Sequence, residues 1–287
     1  MSLSFKLRGA ALTAVALVAM AGCSSTPEET PSSTPTTSTP AAFELETFTE
    51  GKLTIATGEP AFSPWVLNDA PESGEGFEAA VAYAVAEQLG FAAEDVVWVR
   101  TPFESVIAPG PKDWDFNLQQ FSITDERKEA VDFSSPYYTT SQVIVTTEAS
   151  KAADAASLAD LSALTVGASV GSTSYTAAVA QLGEGAVQVF NTNDEVVAAL
   201  QAGQIDALVI DLPTGFYLRD AVLDGGKIVG QLPDSTEGGD QFGLLLAKGS
   251  PLTAPVTAAV DALREDGTLA ALEEQWLNSA ENVPVLQ

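Results

Sequence analysis

The stretch Ser122–Tyr138 reads SITDERKEAVDFSSPYY. Thr124 stands where a helix N-cap belongs, with Asp125 and Glu126 in the first turn after it. A hydroxyl there accepts from a free backbone N–H, and acids suit the positive end of the helix dipole. Arg127 shares that turn and opposes the dipole, at a cost of roughly a few tenths of a kcal/mol. A residue set against local preference is a candidate for another job. A guanidinium can grip a carboxylate through two parallel hydrogen bonds. The alternative is a surface ion pair with Asp125 or Asp132.

Around this stretch the chain alternates strands and helices. Lys52–Thr57 (KLTIAT) is β-branched and alternating, and the two prolines of Glu59–Pro64 (EPAFSP) stop it. After Gly76, Phe77, Val81, Val85 and Leu89 recur four apart beside Ala80 and Ala84. Glu78 and Glu87 fall off that face and Gly90 ends the run, so an amphipathic helix is expected. Val96–Val99 is a second strand. A second β-α-β beginning follows at Leu164–Gly167, with a helix over Ser172–Leu182 and a strand over Val187–Phe190. Asn193 or Asp194 then caps a helix through Leu200, which Gly203 stops. Ile205–Ile210 is a strand ending at Asp211, and Gly243–Ala247 another. Ala254–Leu277 gives two helical stretches around Asp266-Gly267. This order predicts an α/β class with mostly parallel sheets, in two lobes rather than one large sheet.

Three stretches carry a resemblance together: Ser122–Tyr138, Val170-Gly-Ser-Thr173, and Gly203-Gln-Ile-Asp-Ala followed by Asp211. In this order and spacing the chain from about Lys52 to Leu277 resembles the bacterial extracellular solute-binding proteins, family 3, of polar amino-acid ABC importers. The resemblance implies a type II periplasmic-binding-protein fold, with two α/β lobes joined by a two-strand hinge around a ligand cleft. Lobe 1 would be discontinuous (residues 43–139 and 241–287), and lobe 2 would span 140–240. It implies that Arg127 binds a ligand α-carboxylate, that Ser122, Ser172 and Thr173 complete that site, and that Asp211 meets the α-ammonium.

The residues agree with those roles. A strand-to-helix junction such as Ser172-Thr173 favours anions, although simple helix capping is the plainer reading. Asp211 ends a strand where open α/β sheets place ligands, although it also suits a turn before Leu212-Pro213. The resemblance places Phe62 where the family often has a stacking aromatic, Phe103 at a second apolar wall, and Glu59 near a position that is frequently acidic in the family. Trp65 reads as a core aromatic. Asn117-Leu-Gln-Gln120 replaces the family's usual small residues, so Gln120 and its neighbour Gln119 would narrow the pocket or bond a polar side chain.

The chain begins with Lys6 and Arg8, then an uncharged run from Ala10 to Met20 that suits a signal peptide and is too short for a membrane-spanning helix. Met20-Ala-Gly-Cys-Ser24 resembles a bacterial lipobox. It implies a signal peptide over residues 1–22 and a diacylglycerol on Cys23, the one cysteine of the chain; an ordinary secretory signal is the alternative. Residues 24–42 (SSTPEETPSSTPTTSTPAA) have no apolar face and read as an extended tether.

Composition narrows the chemistry. The 287 residues hold 39 acids, 12 Lys or Arg and no histidine, for a net charge of −27. Nucleic-acid binding through a basic patch, His-based catalysis and His-ligated metals are thereby excluded. One cysteine makes neither an internal disulfide nor a thiolate zinc site, and Asp113 with Asp115 do not specify a metal site. No cofactor is expected. The leading expectation is a monomeric, lipid-anchored receptor on the outer face of the cell membrane that binds an amino acid, polar or cationic, and delivers it to an ABC permease. A cleft enzyme resembling cyclic-acid dehydratases is the second reading, with a desolvated Glu59 as general acid or base. A sensor or adhesin component that reuses the lobes is the third.

Overall fold

The computed structural model describes residues 45–233, 239–277 and 282–287. The expected signal peptide, Cys23 and the tether lie outside these residues. Ten strands run along the described chain: β1 (Leu53–Gly58), β2 (Val96–Thr101), β3 (Phe116–Asn117), β4 (Val131–Thr140), β5 (Gln142–Thr147), β6 (Val166–Ser169), β7 (Val187–Phe190), β8 (Ala207–Asp211), β9 (Gly226–Gln231) and β10 (Asp240–Ala247). They form two five-stranded sheets, ordered β2-β1-β3-β10-β4 and β7-β6-β8-β5-β9.

Each sheet contains two parallel and two antiparallel pairings, so the expectation of mostly parallel sheets is corrected. The reason is the way the chain changes sheets. β4 runs out of the first sheet and, after Ser141 alone, the chain enters the second as β5. It returns as β10, which lies antiparallel to β4 with Asp240 opposite Thr140 and Gln241 opposite Thr139. β10 and β5 therefore run against the β-α-β units of their sheets, while β4 and β9 at the edges run with them.

The first core gathers Leu53 and Ile55 of β1, Phe77, Val81 and Val85 of the helix Phe77–Gln88, and Trp65 and Phe242. That helix starts against the chain at Trp65. Phe77 N donates to the Pro64 carbonyl and Glu78 N to that of Trp65, so two otherwise free N–H groups are satisfied. Gly76 has φ +102°, and a Cβ on it would lie 2.5 Å from the Trp65 carbonyl oxygen, so only glycine fits. Glu78, expected off the apolar face, is instead 1% exposed. Partners elsewhere in the chain receive its carboxylate, as described below.

The second sheet has apolar clusters around Val143, Leu208 and Ile210 and around Ile144, Val166 and Val209. Thr192 caps the helix Asn193–Gln201 by accepting from Glu195 N, one position before the expected Asn193 or Asp194. Residues 282–287 were expected with the first lobe, yet they run along β9 of the second sheet. Val285 bridges Gln231, Leu286 N donates to Gln231 O, and Val283 and Leu286 are buried in the second sheet's clusters. Apolar burial draws this segment there.

A candidate ligand site between the two sheets

The helix Asp125–Ala130 begins as the sequence suggests, with the Thr124 hydroxyl accepting from Arg127 N at 3.1 Å. The Arg127 side chain turns inward and is 8% exposed. Its Nη1 donates to the Ser122 carbonyl at 2.8 Å and its Nη2 to the Gly171 carbonyl at 2.9 Å. Its guanidinium lies 5.5 Å from the centre of the Phe103 ring, which stacks on Phe121. Neither expected surface partner is available. Asp125 pairs with Lys128 and Asp132 with Lys248, and among the described residues Arg127 has no ion pair. Burial pushes its pKa down; Asp240, Glu126 and Asp211 oppose this from a distance. A buried cation without a counter-ion is costly, and five N–H donors exceed two carbonyl contacts.

Opposite stands the start of the helix Thr173–Leu182. Ser172 is its N-cap, accepting from Tyr175 N at 3.0 Å and donating to Ser169 O at 2.7 Å, so the capping role holds. Thr173 donates to Asp240 Oδ2 at 2.6 Å, which leaves Ser122 Oγ as the donor to Thr173 Oγ1 at 3.0 Å. The two sheets' bodies thus touch through Ser122–Thr173 and Arg127–Gly171. Trp65 adds a third contact, its Nε1 donating to Thr214 Oγ1 at 2.8 Å.

Asp211 closes β8 and makes no cap bond to the helix that follows. Its Oδ1 accepts from Gln142 Nε2 at 2.8 Å, and the same amide nitrogen donates to Asp240 Oδ2 at 2.9 Å. Two carboxylates therefore share one amide donor, and neither has an ion pair among the described residues. Burial pushes the Asp211 pKa up to about 7, with Asp240 adding to the rise. An ammonium group would relieve that arrangement.

A cavity of about 270 Å³ lies between these walls. Arg127, Ser172, Thr173, Asp211, Glu59, Phe62, Phe103 and Gln120 line it, as does Gln119. Ser122 is 1% exposed and acts behind the wall through its bonds to Arg127 and Thr173. Glu59 is exposed at the edge of this cavity. Asn117 is buried and bonds Thr101, while Trp65 is fully buried in the first core.

Sequence reasoning missed four groups. Glu78 accepts from Gln120 N at 2.8 Å, from the Gln120 side chain and from the Tyr137 hydroxyl, and burial pushes its pKa up to about 7. It thereby holds Gln120, whose φ of +51° is unfavourable for a residue with a Cβ. Gln142, Asp240 and the Gly171 carbonyl complete the list. An acid in a helix's first turn and a glutamine opening a strand give no local signal of such roles. Among the described residues no group of three or more metal-binding side chains occurs.

Residues 53–279 match the family described as bacterial extracellular solute-binding proteins, family 3. The chain belongs to this family. A curated relative, the L-arginine-binding protein of Pseudomonas aeruginosa, is 31% identical over 243 residues, covering 82% of this chain and 92% of its own. Among solved structures, an ancestral arginine-binding protein bound to arginine matches with a TM-score of 0.66 and 32% identity, covering 79% of this chain and 99% of that one. An ancestral amino acid-binding protein, a precursor of cyclohexadienyl dehydratase, matches with a TM-score of 0.64 and 30% identity, covering 79% and 96%. The chain shares the type II periplasmic amino-acid-binding fold of its structural neighbours, and the relatives named here are binding proteins.

Proposed function

We propose that this chain is the receptor of an ABC importer, binding a polar, cationic-leaning amino acid between its lobes and handing it to a permease. One observation carries the reading. Among the described residues, a buried Arg127 without a counter-ion and an Asp211 without a cation line a single cavity, and Asp240 stands behind Asp211 through the shared Gln142 amide. An α-amino acid supplies both missing charges at once. Its carboxylate takes the free Arg127 donors and the helix start at Ser172-Thr173, and its ammonium takes Asp211. Phe62, Phe103, Gln120 and Glu59 form the wall met by the side chain.

Micromolar binding corresponds to about −8 kcal/mol, and charge-assisted hydrogen bonds contribute roughly 1.5–3 kcal/mol each. A few such bonds suffice after ordering costs. Because the ligand touches both lobes, it favours the closed arrangement over the open one. Arginine is the leading candidate, on the names of the relatives and on the excess of acids around the cavity. The lipobox-like run around Cys23 and the Ser/Thr/Pro tether support anchoring by acyl chains to the outer face of the membrane, and the net charge of −27 favours a monomer. A thermal-shift screen of the amino acids tests the reading, since binding raises the unfolding midpoint by mass action. A stabilising zwitterion is expected; no response to any of them overturns it.

A further inference from the structure

A second cavity, of about 250 Å³, adjoins the first. Phe62, Gln120 and Asn193 line both, whereas Arg127, Ser172, Thr173 and Asp211 line only the first. The second chamber therefore lies beyond the Phe62–Gln120–Asn193 partition, away from the groups that answer an α-carboxylate and an α-ammonium. Its walls are largely apolar, with Val197, Ile210, Leu218 and Val222 among them. Asp194 is its one charged wall residue. This carboxylate has neither a hydrogen bond nor an ion pair among the described residues, and partial burial raises its pKa above the usual range.

Charge and wall chemistry both ask for a ligand that uses this space. The first chamber, of about 270 Å³, holds the groups that answer an amino acid's carboxylate and ammonium, and the second adds about 250 Å³ of largely apolar space beyond them. The charged walls of the first chamber are Glu59, Glu104, Arg127 and Asp211. An α-amino acid answers Arg127 and Asp211, so every charge left over in either chamber is negative. Apolar walls ending at a lone carboxylate match a methylene stem ending in a cation.

We infer that the two chambers form one elongated site, in which a long side chain passes the Phe62–Gln120–Asn193 partition and sets a cationic head against Asp194. This rests on the amino-acid reading above and sharpens it to a long-stemmed cationic amino acid. Phe62 and Gln120 then act as a length gauge. Gln120 is held in place by Glu78, so the gauge is anchored in the first core.

Calorimetry with a ladder of probes tests this: 2,3-diaminopropionate, ornithine, arginine and homoarginine, with citrulline as the neutral match to arginine. For the native chain, affinity is expected to rise along the ladder. Val197→Trp, which fills the second chamber, is expected to cut the ratio of homoarginine to diaminopropionate affinity by about tenfold or more. Asp194→Asn is expected to cut the ratio of arginine to citrulline affinity by roughly tenfold. Asp194 lies on an exposed helix turn, so that variant remains decisive should Val197→Trp not fold. Unchanged ratios, or a native chain indifferent to length, overturn the two-chamber site while leaving amino-acid binding intact. A native chain that binds none of the probes overturns both readings.

Discussion

The two walls of the cleft handle charge in opposite ways. On the first-sheet side a cation is buried and held by carbonyls: Arg127 rests on Ser122 O and Gly171 O, and among the described residues no acid pairs with it. On the second-sheet side Asp211 faces the cavity and shares the Gln142 amide with Asp240, which opens β10 where the chain crosses back to the first sheet, and among the described residues no cation neutralises either acid. A buried anion also exists on the first side, yet Glu78 is saturated by Gln120 and Tyr137 and turned away from the cavity wall. The contrast separates charges kept for a ligand from a charge spent on the scaffold. Arg127 and Asp211 face the cavity, whereas Glu78 lies behind it with its donors.

The largest effect should come from removing the cation. Arg127→Ala is expected to weaken amino-acid binding by about a hundredfold or more, because two charge-assisted bonds of roughly 1.5–3 kcal/mol each are lost. The unfolding midpoint of the ligand-free protein should hold or rise, since an uncompensated buried charge goes with it. Calorimetry and thermal melting read the two quantities separately. Unchanged affinity in a folded variant would undo the distinction between the walls.

Glu78→Ala should do the reverse on the first-sheet side. Loss of a buried acceptor with three donors around it is expected to destabilise the fold by about 1–3 kcal/mol or more in urea unfolding. If stability is untouched while affinity collapses, Glu78 belongs with the ligand groups after all.

Acid pH sharpens the comparison within single groups. Both Glu78 and Asp211 have folded-state pKa values raised to about 7, from 4.5 and 3.8. A raised carboxylate pKa means that the folded chain holds the proton more tightly than the unfolded one. The contribution of these two groups to ligand-free stability is therefore full at low pH and is lost as pH rises from about 4 to about 7. Binding an ammonium requires Asp211 ionised, so affinity should run the other way. It should climb by up to about tenfold per pH unit below about 7 and then level off. Asp211→Asn should flatten that slope, which calorimetry at several pH values would show.

The smallest expected effect lies away from both walls. Trp65→Phe removes the bond to Thr214 that joins the lobes and leaves the rest of the ring's core contacts. A loss of about 1 kcal/mol in the closed arrangement is expected, a few-fold in affinity. Small-angle scattering of the ligand-free variant would reveal the wider mean cleft, and no change would make Trp65 a core residue alone.

Local features were readable in the sequence to the degree that their physics is local. The apolar repeat from Phe77 to Val85 lies in one helix and is buried together. The Thr124 cap and the helix start after Ser172 depend on contacts three residues apart. Glu78 shows the limit. By itself it is an acid in a first turn, which reads as surface. Only Gln120, 42 positions on, and Tyr137, 59 positions on, make its burial tolerable. The C-terminal segment is a second case, since its apolar residues could not say which sheet would cover them.

The sequence by itself determined the chemical inventory of this family 3 chain. It has no histidine, its one cysteine stands in a lipobox-like run, an arginine opposes its helix dipole, and an aspartate ends a strand. Those properties follow from residue type and short spacing. Only the tertiary structure decided which charges go unanswered. Asp240 lies 67 positions from Thr173 and 98 from Gln142, and Gly171 lies 44 from Arg127. Whether a buried charge is paired depends on such distant neighbours, because the low-dielectric interior makes the missing partner matter most.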